Sequence, residues 1–225
     1  MGDTVPTDPA PSDPVLRSAA DLRDHYRHAS GGAVDKVIDR LDEHCVEFLA
    51  ASPFMVLSSA DTDGVCDGSP KGGRPGFVEP LDEHHVAWAD LSGNNRLDSF
   101  ENIVTNPSVA LLFLIPGLDE TLRINGRASI SVDDDLRERV TVDGRPAKVV
   151  VIVRVVEAYI HCAKAFRRSE LWSPATWSPA GDLPDPRCAI RDHARIDAPI
   201  DAIREAYDAD VAATLWRPGG DAPTS

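Results

Sequence analysis

Cysteine is scarce, with four residues in 225, and no two of them form a CxxC pair. That excludes a zinc ribbon and a dithiol redox motif, so Cys45, Cys66, Cys162 and Cys188 read as free thiols of a reducing compartment. Long apolar runs are missing too. The longest, Val149 through Val156, is broken by Arg154 and falls well short of the roughly 20 residues a membrane-spanning helix needs. Positive charge is in deficit: 23 Lys and Arg stand against 37 Asp and Glu, a formal net charge of −14. A general nucleic-acid coat or an anionic-membrane binder is thereby excluded, because both draw most of their affinity from broad basic patches. The opening MGDTVPTDPAPSDP lacks the basic start and apolar run of a secretory signal, which gives a cytoplasmic expectation. GxSxG, HExxH, a Walker loop and a GxGxxG after a strand are all absent, so the familiar nucleotide folds are out and no nucleophile motif is readable.

What is present is the mixture of an ordinary globular protein, 42% hydrophobic and 27% charged, long enough for one generous domain or two small ones. The pattern divides it into a flexible tail (1–14), N-terminal helices (15–52), a β-rich domain (53–172) and a C-terminal extension with a terminal helix (173–225). Ser18 can cap a helix running to about Ala29 and stopped at Gly31-Gly32. Val34, Val37, Ile38, Leu41, Cys45, Phe48 and Leu49 recur at spacings of three and four, which predicts a second, continuous helix ended by Pro53. Short β-rich runs then predict strands over Phe54–Ala60, Val65–Ser69, His85–Ala89, Val109–Leu114, Thr121–Ser131 and Lys148–Ile160, the signature of a sandwich or barrel. A helix from Arg96 to Val104 interrupts them and is stopped by Asn106-Pro107. The last strand is apolar on both faces over most of its length, so each side needs a cover, and a subunit interface would supply the second. A helix over His161–Ser169, a Pro- and Trp-containing stretch and an amphipathic helix over Ile200–Leu215 complete the chain.

Small and basic residues gather at strand ends, in Gly68-Ser69-Pro70-Lys71-Gly72-Gly73 and Asp90-Leu91-Ser92-Gly93-Asn94-Asn95-Arg96. Glycines let a backbone approach a flat ligand, and a Lys and an Arg are natural counter-ions of one phosphate. The helix opening near Asn95 aims unpaired N–H groups and a positive dipole end at the same place. Solvated hairpin loops would look alike, so the pattern by itself is weak.

The order of these segments with Trp88-Ala89-Asp90, Asp98-Ser99, Asn102-Ile103, Asn106-Pro107, Leu111-Leu112-Phe113, Pro116-Gly117 and Glu120-Thr121-Leu122-Arg123-Ile124-Asn125-Gly126 resembles the pyridoxamine 5′-phosphate oxidase family of FMN-binding split barrels. His161-Cys162-Ala163-Lys164-Ala165 and Arg168-Ser169-x-Leu171-Trp172 are similar to its branch of uncharacterised, FMN-dependent enzymes. The resemblance covers roughly residues 40–180. It implies a mainly β fold with flanking helices, an FMN-binding split β-barrel, and a homodimer with FMN at the subunit interface and a small-molecule substrate. Ser69, Pro70, Lys71 and Gly72 would lie along the flavin ring. Asp90, Asn95, Arg96 and Ser99 would hold the ribityl phosphate. Thr121, Arg123 and Arg168 would contact the flavin from the partner chain, and His161 and Lys164 are the candidates nearest to catalysis. The resemblance implies an oxidoreductase; a non-enzymatic flavin or haem carrier or redox sensor on the same barrel is the alternative. Genuine pyridoxamine phosphate oxidases end in a basic Arg-x-Arg type motif, whereas this chain closes with Trp216-Arg217-Pro218-Gly219-Gly220-Asp221, so the vitamin phosphate is not the expected substrate.

Other features read as structural. His84 and His85 are adjacent in a strand and point to opposite faces, so they do not form a metal pair. Asp133-Asp134-Asp135 lacks the ligand spacing of an EF-hand and reads as a helix cap. Trp172 and Trp177 read as covers of apolar surface.

Overall fold

A computed structural model describes residues 14–219. Residues 1–13, almost all of the tail predicted to be flexible, and Gly220-Asp221 of the closing motif lie outside the described residues. The chain divides into two compact units, residues 1–36 and 37–225.

In the first unit, α1 (Ala19–His25) starts at Ser18, whose hydroxyl accepts from the Asp21 N–H while the Asp21 carboxylate accepts from the Ser18 N–H. This reciprocal capping box fixes the start as expected. The helix ends at His25 rather than near Ala29. A single turn, α2 (Gly32–Asp35), follows.

The continuous helix predicted from Val34 to Leu49 does not form. Ile38 is extended and exchanges both backbone hydrogen bonds with Ala158, at 3.0 and 2.7 Å. The helix restarts only at α3 (Glu43–Ala51), where the Asp42 carboxylate caps the Cys45 N–H. Leu41, ahead of α3, and Cys45, Phe48 and Leu49 on it enter one core, whereas Val34 and Val37 of the predicted apolar face stay exposed.

Seven strands form one wholly antiparallel sheet: β1 (Phe54–Ala60), β2 (Cys66–Gly72), β3 (Glu79–Asp82), β4 (His85–Ala89), β5 (Ser108–Leu114), β6 (Thr121–Ser131) and β9 (Val150–His161), in the order β2-β1-β5-β6-β9-β4-β3. The end strands β2 and β3 do not pair, so the ladder is open rather than a closed barrel. Between β4 and β5 lies α4 (Asp98–Thr105); between β6 and β9 lie α5 (Asp134–Arg139) and the hairpin β7 (Thr141–Val142) and β8 (Arg145–Pro146). The chain closes with α6 (Lys164–Ser169), α7 (Pro186–His193) and α8 (Ile200–Thr214). None of the described helices is long and apolar enough to cross a membrane.

Alternation along the strands makes the core. Met55 and Leu57 of β1, Leu111 and Phe113 of β5, and Leu122 and Ile124 of β6 are wholly buried beside Trp88 and Val153. Each such side chain contributes roughly 1.5–3 kcal/mol. The opposite sheet face carries Phe54, Val56, Leu112, Leu114, Arg123 and Tyr159, all only half-buried. On β9 Val156 and Ile160 remain 50% and 37% exposed, so the two-sided cover expected for this strand is not completed by the described residues. Val156 is also the extra residue of a bulge opposite Asn125 and Gly126. Gly126 is required there, since a Cβ would run into the Arg154 carbonyl and the Val153 side chain.

Candidate functional site

Strand β2 is an edge strand, which tolerates Pro70 because no neighbour needs the missing N–H. Its register with β1 pairs Asp67, Ser69 and Lys71 with Ser59, Leu57 and Met55, so these three side chains share one face. Gly68, Pro70 and Gly72 fall on the other, leaving an exposed surface with little side-chain relief.

The β4–α4 connection supplies the opposite wall. Asn95 and Leu97 are left-handed, at φ 56° and 60°, a conformation that costs a residue with a Cβ roughly 1–3 kcal/mol. Leu97 is the N-cap residue of α4 and offers no side-chain acceptor. The first turn of the helix therefore keeps N–H groups and a positive dipole end for an incoming anion. Arg96 precedes it, with Nε donating to Asp98 Oδ2 at 2.9 Å.

These elements enclose a cavity of about 230 Å³ walled by Ser69, Pro70, Lys71, Asp90, Asn95, Arg96 and Ser99. An adjoining cavity of about 470 Å³ shares Ser69, Pro70, Lys71 and Asp90 and adds Gly72, Phe77, Trp88 and Leu215. All eight residues expected at the ring and the phosphate thus come together on one continuous groove.

The electrostatics are mixed. Lys71 and Arg96 face Asp67, Asp90 and Asp98. Burial pushes the Lys71 ammonium below its ordinary range, with Asp90 opposing the shift. Burial likewise raises the Asp90 carboxyl, with Lys71 and then Lys148 opposing it. Each group alone is disfavoured as an ion, and a bound anion would restore the charge of Lys71. Asp67 is oriented from behind: Asn102 Nδ2 donates to its Oδ2 at 2.8 Å and to Ser59 Oγ at 3.1 Å. The sequence reading missed Asp67 and Leu97. The period-two pattern of β2 contained the signal for Asp67; the left-handed turn at Leu97 left none.

Thr121, Arg123, His161, Lys164 and Arg168 stand elsewhere. Thr121 pairs with His161 across β6 and β9. Arg123 Nη1 donates to the Tyr159 hydroxyl at 3.1 Å, and the Tyr159 and His161 rings meet edge-on at 5.8 Å. Lys164 and Arg168 are exposed on α6. Within one chain none of the five lines the groove. Two strands separate β2 from β6, which at the usual interstrand spacing is roughly 14 Å. The structural readings of the remaining motifs have direct partners: His85 Nδ1 lies 2.9 Å from Asp82 Oδ1, and the Asp133 carboxylate caps α5 at the Leu136 N–H. Trp172 donates from Nε1 to the Leu118 carbonyl and stacks on Phe166, whereas Trp177 donates to the Leu171 carbonyl but stays 59% exposed and is not the cover of apolar surface expected of it.

None of the curated proteins matches the chain. Among solved structures it is similar to HupZ of Group A Streptococcus, at 16% identity over 53% of this chain and 93% of that one, with a TM-score of 0.44. An FMN-binding protein from Syntrophomonas wolfei is 12% identical over 54% and 88%, with a TM-score of 0.43. A Clostridium acetobutylicum protein related to general stress protein 26, of the pyridoxinephosphate oxidase family, is 13% identical over 54% and 90%, with a TM-score of 0.41. The sequence model described as pyridoxamine 5′-phosphate oxidase matches residues 41–162. That match takes in both walls of the groove and more than half of the molecule, and by it the chain belongs to the pyridoxamine 5′-phosphate oxidase family.

Proposed function

We propose that this protein is an FMN-dependent oxidoreductase that acts as a homodimer on a small molecule other than pyridoxamine phosphate. The observation that carries the reading is the groove itself: residues from β2, the β4–α4 loop and α4, far apart in sequence, wall one cavity with two cations and an uncapped helix start.

The residues suit FMN in kind. Arg96 offers a planar fork, Ser99 a hydroxyl donor and the first turn of α4 its N–H groups, the donor set a phosphate dianion takes. The Arg96 side chain is 72% exposed, and among the described residues its guanidinium pairs with Asp98, so it can turn toward a ligand. The bare face of Gly68, Pro70 and Gly72 suits close approach of a planar ring. When bound, FMN supplies the hydride chemistry, and the protein supplies position and electrostatics. Lys71 lines both cavities and would lend positive charge to a ring bound between them.

Dimerisation fits two features of the single chain. Among the described residues the apolar face of β1 and β5 is only half-buried and Val156 is 50% exposed. Thr121, Arg123 and Arg168, with His161 and Lys164, do not line the groove of their own chain and would serve it from the second subunit.

Titration of the purified protein with FMN, followed by flavin fluorescence, tests the reading. Wild type should saturate at one FMN per chain. Arg96→Ala should keep its far-UV circular dichroism and bind about tenfold to a hundredfold more weakly, the worth of a charge-assisted hydrogen bond. Equal affinities would remove the phosphate assignment. Bound flavin that no pyridine nucleotide reduces and no acceptor reoxidises would favour the carrier alternative.

A further inference from the structure

The C-terminal segment beyond α8 is tied to the groove by a different set of contacts. The Ser92 N–H donates to the Arg217 carbonyl and the Gly219 N–H to the Asp90 carbonyl, both at 2.9 Å, so Leu91 and Pro218 pair as in an antiparallel strand. Gly219 is the residue this docking requires, because a Cβ there would overlap the Asp90 carboxylate. Trp216 is fixed twice more. Its carbonyl accepts from Arg145 Nη2 at 2.6 Å, and the Arg74 guanidinium sits 4.9 Å from its ring centroid.

So held, Trp216 walls a third cavity of about 170 Å³ with Phe77, Pro75, Leu91 and Val142. Phe77, Ala89 and Leu91 also line the 470 Å³ cavity, so the two spaces adjoin. An apolar cavity of about 150 Å³ accommodates a benzene ring, so this one has room for a single ring. Its charged residues are Arg74, Asp143 and Glu79. Arg74 and Asp143 neutralise each other in an ion pair of 2.9 Å, whereas Glu79 has no ion-pair partner among the described residues. One carboxylate is left over beside two aromatic side chains, Phe77 and the Trp216 ring on which Arg74 already rests.

We propose that this cavity is a substrate subsite for a single aromatic ring, neutral or cationic and not anionic, with Trp216 as its aromatic wall and Glu79 as its charge selector. As a substrate subsite it rests on the flavin reading of the neighbouring groove; as a ring-binding site it does not. Trp216 lies outside the family match at 41–162, so the C-terminal extension supplies one aromatic wall, and the rest of the lining comes from within the matched residues.

The test uses the full chain, with and without FMN, and three probes of one size: benzylammonium, benzyl alcohol and benzoate. The readout is the indole N–H resonance of Trp216, identified by its loss in Trp216→Phe. Benzylammonium should shift that resonance saturably, benzyl alcohol more weakly, and benzoate not at all. Glu79→Gln should erase about tenfold of the preference for benzylammonium over benzyl alcohol while leaving the Trp216 resonance in place. Benzoate binding as well as benzylammonium, shifts that leave Trp216 untouched, or a preference unchanged in Glu79→Gln would overturn the proposal. Normal FMN binding with no ring binding defeats the subsite alone; ring binding without FMN binding defeats the flavin reading and keeps the subsite as a ring-binding site.

Discussion

Asp90 and Lys71 share the junction of the two larger cavities, and burial moves them in opposite directions. The Asp90 carboxyl holds its proton above the ordinary 3.8, so between that value and its raised one the native state binds more protons than the unfolded chain. Stability therefore falls as pH rises through this window. Lys71 loses its proton below the ordinary 10.5, so stability rises with pH between its lowered value and 10.5. Asp90→Asn should abolish the acid-side decline; melting temperatures of both proteins across the acid range check this, and an unchanged slope would assign the decline to another group. Behind the same wall, Asn102 is buried and its amide nitrogen donates to both Ser59 and Asp67. Asn102→Ala leaves those acceptors unpaired and should cost about 1–3 kcal/mol in denaturant unfolding.

At the scale of elements, the bulge between β6 and β9 is the least forgiving place. Gly126→Ala would force a Cβ onto backbone of the neighbouring strand, and should destabilise by about 1–3 kcal/mol, read as a lowered melting temperature with the strand content retained. The long alternating strands were legible: β1, β4 and β6 have the boundaries their sequence pattern predicts. Glu79–Asp82 was not, because it is four residues long and contains Pro80. The break at Ile38 was equally invisible. A local helical period cannot register that the backbone of Ile38 is claimed by Ala158, a residue distant along the chain. The same distinction runs through the site. Gly-Ser-Pro-Lys-Gly and Asn-Asn-Arg announced the groove because they are contiguous, whereas Trp216 reaches the adjoining cavity through long-range ties, the pairing of Pro218 with Leu91 and the contacts with Arg145 and Arg74.

For the whole molecule, the open seven-stranded sheet carries its groove at the β2 edge and its second set of polar candidates near the ends of β6 and β9. A homodimer would use both. Val56 and Leu112 are cross-strand neighbours on the half-buried face, so Leu112→Arg should shift the protein from dimer to monomer in light scattering and weaken FMN binding together. A dimer unaffected by that charge would place the interface on another surface.

If the cations and helix start beside β2 recognise a phosphate attached to a flavin, FMN and riboflavin, which differ only in that phosphate, must bind differently. Calorimetric titration of both measures this directly, and FMN should bind at least tenfold more tightly than riboflavin, from a single charge-assisted contact upward. Equal affinity for the two, or none for either, would contradict it.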